Sequence, residues 1–312
     1  MMKRILERTF ASVFVVFGAV TAIFLILNWL PGDPATLVAG QDASAETIER
    51  VRAQLGIERP LLDQYVDYIV RIVHGDLGVS YVTKEPVFDR IAAQFPSTAL
   101  LTLCASVVAL AFGVGFGVLS ARHQGKWLDQ LLQFSALAIV SVPAFWLGML
   151  GILLFSVELG WLPVLGTGGF LPSLLPIGCL GLVVGVPMLR LVRDGIIEGL
   201  HEPYVTTLRA KGLGERRVFF KHVLRNALLA TITLLSLVVG ELLSGAVVIE
   251  TLFARQGVGR LAVEALNQKD MPVVQGAILL TSTAYVLVNL LVDLSYTVID
   301  PRTRLSQARH WR

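Results

Sequence analysis

The sequence predicts an all-α polytopic membrane protein with about six transmembrane helices. Composition is the first reason. Of the 312 residues, 54% are hydrophobic and 16% charged, where a soluble domain carries roughly 25% charged residues. Mean hydropathy is +0.70. The second reason is a set of long apolar runs, and the third is the alternation of basic residues between the segments that join them.

A helix needs about 20 mostly apolar residues to cross the hydrocarbon core. Six windows qualify, at 10–30, 98–121, 131–156, 174–191, 227–248 and 274–298. The first follows Lys3 and Arg4, as a signal peptide would. It is longer than a signal's apolar region and ends in Leu30-Pro31-Gly32-Asp33-Pro34 instead of small residues. It is therefore read as a retained span.

Six spans place both termini on one side, and basic loops mark the cytoplasmic side. Residues 1–9, the connection at 122–130, the loop 190–225 and the C-terminal tail hold seventeen of the 26 Lys and Arg. The remaining basic residues lie in the other three connections and face an excess of Asp and Glu. Both termini are expected in the cytoplasm.

Gly113 with Gly117, and Gly181 with Gly185, repeat at the small-xxx-small spacing that lets helix backbones approach in lipid. Ordinary glycine tolerance is the alternative. Cys104 and Cys179 sit inside apolar runs and read as small buried hydrophobes. Two cysteines exclude both a disulfide scaffold and a structural cysteine metal site.

Residues 31–95 are polar enough to fold outside the bilayer. Ser44 can cap a helix over 46–55, which Gly56 can end. Pro60 then starts a helix over 61–74, with Leu62, Tyr65, Ile69, Ile72 and Val73 mainly on one face. Gly75-Asp76-Leu77-Gly78 reads as a turn. A short helix over 87–95 leads into Pro96 and the second span. This extracytoplasmic cap is either a stabilising lid or a surface that receives something from outside.

The loop 190–225 carries eight basic residues. Glu202-Pro203 suits a helix start, and the run from Tyr204 to Lys211 meets a break at Gly212-Leu213-Gly214. A second helical run over 215–226 enters the fifth span. The pattern forms a cytoplasmic elbow suited to a partner's groove; a basic loop serving only topology and anionic lipid is the alternative.

Several chemistries are missing. There is no phosphate loop: Gly125-Lys126 is followed by Trp127. Neither a G-x-S-x-G nor an H-E-x-x-H motif occurs, and the five histidines are scattered. The ionisable residues within the spans are Glu241 and Asp293, candidates for the translocation path or for structural hydrogen bonding.

Gly212 followed nine residues later by His222-Val223-Leu224-Arg225 resembles the cytoplasmic loop of binding-protein-dependent ABC importer permeases, E-A-A-x3-G-x9-I-x-L-P. Thr206-Thr207-Leu208 stands in place of E-A-A, and His222 and Arg225 in place of isoleucine and proline. These departures match the dipeptide, oligopeptide and nickel branch, whose pattern is similar to Tyr204–Leu213 and His222–Ala227. Pro31-Gly32-Asp33-Pro34, Gly75–Gly78, Gly245-Ala246-Val247-Val248 with Glu250, Gly257-Val258-Gly259, Asn289–Asp293 and Asp300-Pro301-Arg302 resemble its B-type subunit. Gln256 and Leu208 depart from the usual proline and alanine.

The resemblance implies the fold of a type I importer transmembrane domain. Its parts would be a cytoplasmic N-terminus and first span (1–30), a helical cap (31–95), a core permease domain (96–298) with a coupling loop (200–225), and a cytoplasmic tail (299–312). It implies a bacterial inner-membrane protein paired with a C-type permease subunit. Two cytoplasmic ATPase subunits and an extracytoplasmic substrate-binding protein complete the assembly, and no nucleic acid takes part. The chain would be no enzyme and would bind no cofactor, ATP and Mg belonging to the ATPases. Glu202, Tyr204, Arg209, Ala210, Lys211, Gly212, Leu213 and His222 would carry ATPase coupling. Phe253, Gly257 and Gly259 would help close the outer side. Peptides are the expected cargo, with nickel or metal–chelator complexes as the alternative. An ion-coupled secondary carrier would need an embedded charge network and inverted repeats, and a passive channel a polar pore ring; neither is evident.

Overall fold

The computed structural model describes residues 2–29, 34–40, 43–164 and 170–299. Within these, the side chains at 2–9, 37, 232–233, 236–237, 241, 243–245 and 292–299 lie outside the description. The helices are α1 (Met2–Trp29), α2 (Pro34–Ala39), α3 (Ala45–Leu55), α4 (Leu61–Val73), α5 (Val87–Arg122), α6 (Trp127–Val140) and α7 (Ala144–Gly151). A π-helical stretch, Ile152–Glu158, continues α7. There follow α8 (Leu171–His201), α9 (Pro203–Ala210), α10 (Glu215–Arg217), a second π-helical stretch (Val218–Val223), α11 (Leu224–Leu252), α12 (Val258–Asn267) and α13 (Met271–Ile299). Among the described residues the β structure is one isolated bridge, Val79 to Pro86.

Four helices are long and apolar enough to cross a membrane among the described residues: α1, α5, α8 and α13. A fifth span results if the bent pair α6 and α7, with its π-helical end, counts as one. The window 227–248 falls within the 29-residue α11. The predicted all-α polytopic membrane class therefore holds.

Two spans differ from the linear pattern. The window 131–156 is not one straight helix: its halves meet at 105°. Pro143 stands immediately before α7 in an extended conformation, φ −58° and ψ 141°. A proline ring disfavours helical backbone at the residue before it, so the break falls at Val142–Pro143. Conversely, the helix predicted to end before Pro96 does not end. It runs unbroken through Pro96 into the second span, giving up one backbone bond, which membrane helices tolerate when neighbours re-satisfy the freed group.

The chain divides into two units. One comprises Met1–Thr98 and Gln256–Leu290; the other comprises Ala99–Arg255 and Leu291–Arg312.

In the first unit, local chemistry forms the small helices as expected. The Ser44 hydroxyl accepts a 3.2 Å bond from the Thr47 amide, capping α3. Gly56 ends α3 at φ 65°. In the turn after α4, the Asp76 carboxylate accepts from the Gly78 amide at 2.8 Å. The face of α4 differs from the expected one. Tyr65, Ile69 and Ile72 pack beside Tyr68, Phe24 and Val20, while Leu62 and Val73 are exposed. Tyr68 is the buried residue of this helix, stacked on Phe24 with ring centroids 5.5 Å apart. A second cluster gathers Leu27, Val87, Ile91, Val258, Leu261 and Val273.

In the second unit, α5 and α8 lie in backbone contact. A Cβ added to Gly113 would sit 2.5 Å from the Met188 Cβ, and one on Gly117 would sit 2.8 Å from the Leu189 carbonyl. From the other side, Gly181 faces Val108 at 2.6 Å and Gly185 faces the Ala109 carbonyl at 3.1 Å. The spacing of these glycines thus serves close approach. Cys104 and Cys179 are free thiols within the main apolar cluster of this unit.

Candidate functional site

The elbow belongs to the second unit. Glu202 turns the chain out of α8 with an extended backbone, and Pro203 opens α9 at its first position. Val205 is fully buried and anchors the helix. It joins Val192, Ile196, Val218, Val223 and Ala227, with Tyr204, Leu208 and Leu213 packed around them. Thr206, Thr207, Arg209, Ala210 and Lys211 turn outward and are exposed. Gly212 ends the helix at φ 79°, a left-handed conformation that costs an L-residue roughly 1–2 kcal/mol.

Electrostatics brace the turn. The Arg209 guanidinium donates to both oxygens of Glu215, at 2.7 and 3.1 Å. Arg209 holds the Glu215 carboxyl below the usual carboxylate range. The Asn226 amide donates to the Tyr204 hydroxyl at 3.4 Å. Arg122, at the end of α5, lies over the Phe219 ring at 5.7 Å.

The eight elbow residues singled out in the sequence therefore divide. Glu202, Arg209, Ala210, Lys211 and Gly212 form an exposed face. Tyr204, Leu213 and His222 are half-buried; Tyr204 and Leu213 hold the elbow to the bundle. Of the outer-loop residues, Phe253 is buried in the second unit's core. Gly257 precedes α12 and Gly259 is buried within it, in the first unit; α12 itself is a helix that the sequence did not announce. The side chains of Glu241 and Asp293 lie outside the described residues, as do Leu30-Pro31-Gly32-Asp33 and Asp300-Pro301-Arg302.

Three carboxylates are buried among the described residues: Glu250, which stands in a motif quoted above, and Asp129 and Asp270, which escaped the sequence reading. Asp129, in the first turn of α6, is 3% exposed. It accepts two bonds from Arg193 of α8, one from the Gly125 amide at 3.0 Å and one from Ser120. Arg193 also binds Asp194 at 2.8 Å. In the first unit Asp270 is fully buried. It accepts from the Ser80 hydroxyl and from the Tyr81 amide at 2.9 Å, with Arg90 3.6 Å away. Asp129 stood two residues before an apolar window and Asp270 at the end of a polar loop, so neither read as embedded. A carboxylate at the edge of a span, matched by an arginine at the edge of another, was the available signal.

Long apolar helices with a short helix packed against them on one face and exposed on the other define a polytopic membrane component. Comparison with known proteins agrees. Residues 113–305 match the binding-protein-dependent transport system inner membrane component family. Residues 1–102 match the N-terminal domain of such membrane components. The chain belongs to this family: it is an inner-membrane permease subunit of an ABC importer, of the dipeptide/oligopeptide type. It is 42% identical over 304 residues to the glutathione transport system permease protein GsiC of Escherichia coli K12, covering 97% of this chain and 99% of that protein. The GsiC of Escherichia coli CFT073 is 42% identical with the same coverage, and that of Shigella flexneri serotype 5b is 41% identical.

Proposed function

We propose that this permease subunit forms half of the translocation path for short peptides, glutathione among them, and that its elbow receives the force of ATP hydrolysis from a partner ATPase. The observation that carries the reading is the division of α9. Val205 is buried and Arg209, Ala210 and Lys211 are exposed. A helix anchored on one side and open on the other can enter a groove while passing displacement to the bundle behind it.

In this reading both termini and the elbow face the cytoplasm, as the basic residues favour, and residues 31–95 form a cap on the outer side. A C-type permease subunit completes the path, two ATPases bind the two elbows, and a binding protein delivers cargo. Glu202, Arg209, Ala210, Lys211 and Gly212 meet the ATPase. Tyr204, Leu213 and His222 position them. Phe253, Gly257 and Gly259 belong to segments that close the outer side. The glutathione named as cargo of the relatives favours a peptide over a nickel complex. The test is uptake of labelled glutathione and of a labelled dipeptide into proteoliposomes holding the assembled importer, its binding protein and internal ATP. ATP-dependent uptake of either supports the reading. Uptake of neither, with ATPase activity present, overturns the cargo assignment.

A further inference from the structure

Within the first unit, the loop after α4 and the start of α13 enclose a cavity of about 350 Å³, within the size range of small-molecule sites. A second cavity of about 210 Å³ shares with it Leu55, Tyr68, Arg71, Tyr81 and Gln275. Lys84 and Asp76 line the larger one.

One donor in this lining is buried without an acceptor, and its charged side chains, Arg71, Asp76 and Lys84, are exposed. Tyr68 is 8% exposed, and its hydroxyl, sealed in the wall common to both cavities, has no hydrogen-bond partner among the described residues. A buried hydroxyl left so costs roughly 1–3 kcal/mol, and an unexplained one points to a ligand or to function. Burial pushes the Tyr68 phenol up to about 12 and raises that of Tyr81, so at neutral pH both are donors. Arg71 and Lys84 have no carboxylate partner among the described residues. Asp76 engages the Gly78 amide through one oxygen, leaving the other for a cation. Two cations, protonated phenols and one carboxylate suit a zwitterion. A multiply charged inorganic anion would meet Asp76 as a repulsive neighbour.

We propose that this cavity is a binding subsite for a short peptide, its free carboxylate held by Arg71 and Lys84 with Tyr68 donating, and its ammonium held by Asp76. The inference rests on the peptide reading above and adds a place where cargo pauses on the proposed outer side. Tyr68→Phe removes the unpartnered hydroxyl and keeps the ring stacked on Phe24, so it separates binding from packing.

The test measures binding of glycylglycine and of glycylglycine amide to the assembled importer in nanodiscs, without binding protein or ATP. The free acid is expected to bind and the amide to bind roughly tenfold more weakly. Tyr68→Phe is expected to weaken the acid roughly three- to tenfold without lowering the unfolding temperature; a purely structural tyrosine would leave affinity unchanged. Arg71→Gln, at an exposed position, is expected to weaken it at least as much. Equal binding of acid and amide, full competition by inorganic phosphate, unchanged affinity in Tyr68→Phe, or no binding at about 10 mM peptide each overturns the subsite. Peptide uptake by the same importer is scored separately. Uptake without cavity binding defeats the subsite and leaves the peptide reading standing. Cavity binding without uptake defeats that reading alone.

Discussion

Asp129 and Arg193, sixty-four positions apart, are joined by two hydrogen bonds of 2.8 and 2.9 Å that tie the first turn of α6 to α8. The side chain of Asp129 is 5% exposed and that of Arg193 21%. Removing Asp129 takes from Arg193 its buried partner and leaves it only the exposed Asp194, a cost of roughly 1–3 kcal/mol. Asp129→Ala is therefore expected to lower the unfolding temperature of the purified protein. The double variant Asp129→Leu, Arg193→Met is expected to recover much of the loss, since an apolar pair strands no charge. Thermal unfolding in nanodiscs reads both. A double variant no better than the single one would refute the stranded-charge account.

The contact of α5 with α8 makes a second prediction. Gly113→Val places a side chain where even a Cβ lies 2.5 Å from the Met188 Cβ. Overpacking of this kind costs about 1–3 kcal/mol. Gly115, two residues away, has nothing within 4 Å of its Cβ position. Gly115→Ala is expected to be neutral or mildly stabilising, and paired melts of the two variants check the contrast.

How much of this was legible in advance depends on the range of the forces. The spans follow from local composition, because a bilayer demands continuous apolar runs. Ser44, Gly56, Pro203 and Gly212 were readable because a cap or a turn is decided within four residues. The Asp129–Arg193 pair was not, because each partner acquires meaning only from the other. Pro143 broke a helix within an uninterrupted apolar window, while Pro96 did not break one where polar neighbours implied an end. The same residue type, with opposite outcomes, shows packing deciding what propensity left open. The buried place of Tyr68 was set by Phe24, forty-four positions earlier, and no periodicity of α4 contained it.

Arg209 and Glu215 yield a prediction in which stability and function part. Their pair is exposed to solvent, which screens it and leaves it little weight in stability. Arg209→Ala is expected to leave the melting temperature nearly unchanged while transport falls, since the side chain stands on the proposed ATPase-facing surface. Gly212→Asp is expected to leave insertion and assembly intact and to lose peptide-stimulated ATPase activity. Intact transport in both variants would remove the elbow from the mechanism.

The pair also fixes a pH window. A depressed folded pKa means that its contribution is present above the ordinary carboxylate value near 4.5 and is lost as pH falls below it. The elbow's brace is thus expected to stay closed across the neutral range. A change in uptake between about pH 6 and 8 that Glu215→Gln abolished would contradict this.

Tyr68 gives the opposite sign. Its phenol is raised from 10.0 to about 12 by burial, so its contribution is complete below pH 10 and is lost as pH rises toward 12. Ultraviolet titration should show a tyrosine ionising late and coincident with alkaline unfolding, and Tyr68→Phe should remove that step. A phenol at this position titrating with the exposed ones would show that it is not sealed.

The glycine contact between α5 and α8 has a mechanical consequence. Backbones that touch with no side chain between them cannot slide without collision, so these two spans behave as a single stiff strut. The strut ends at His201, one residue before the elbow begins. In the proposed coupling, a push on α9 would move both helices together, with little slack between them to absorb the stroke.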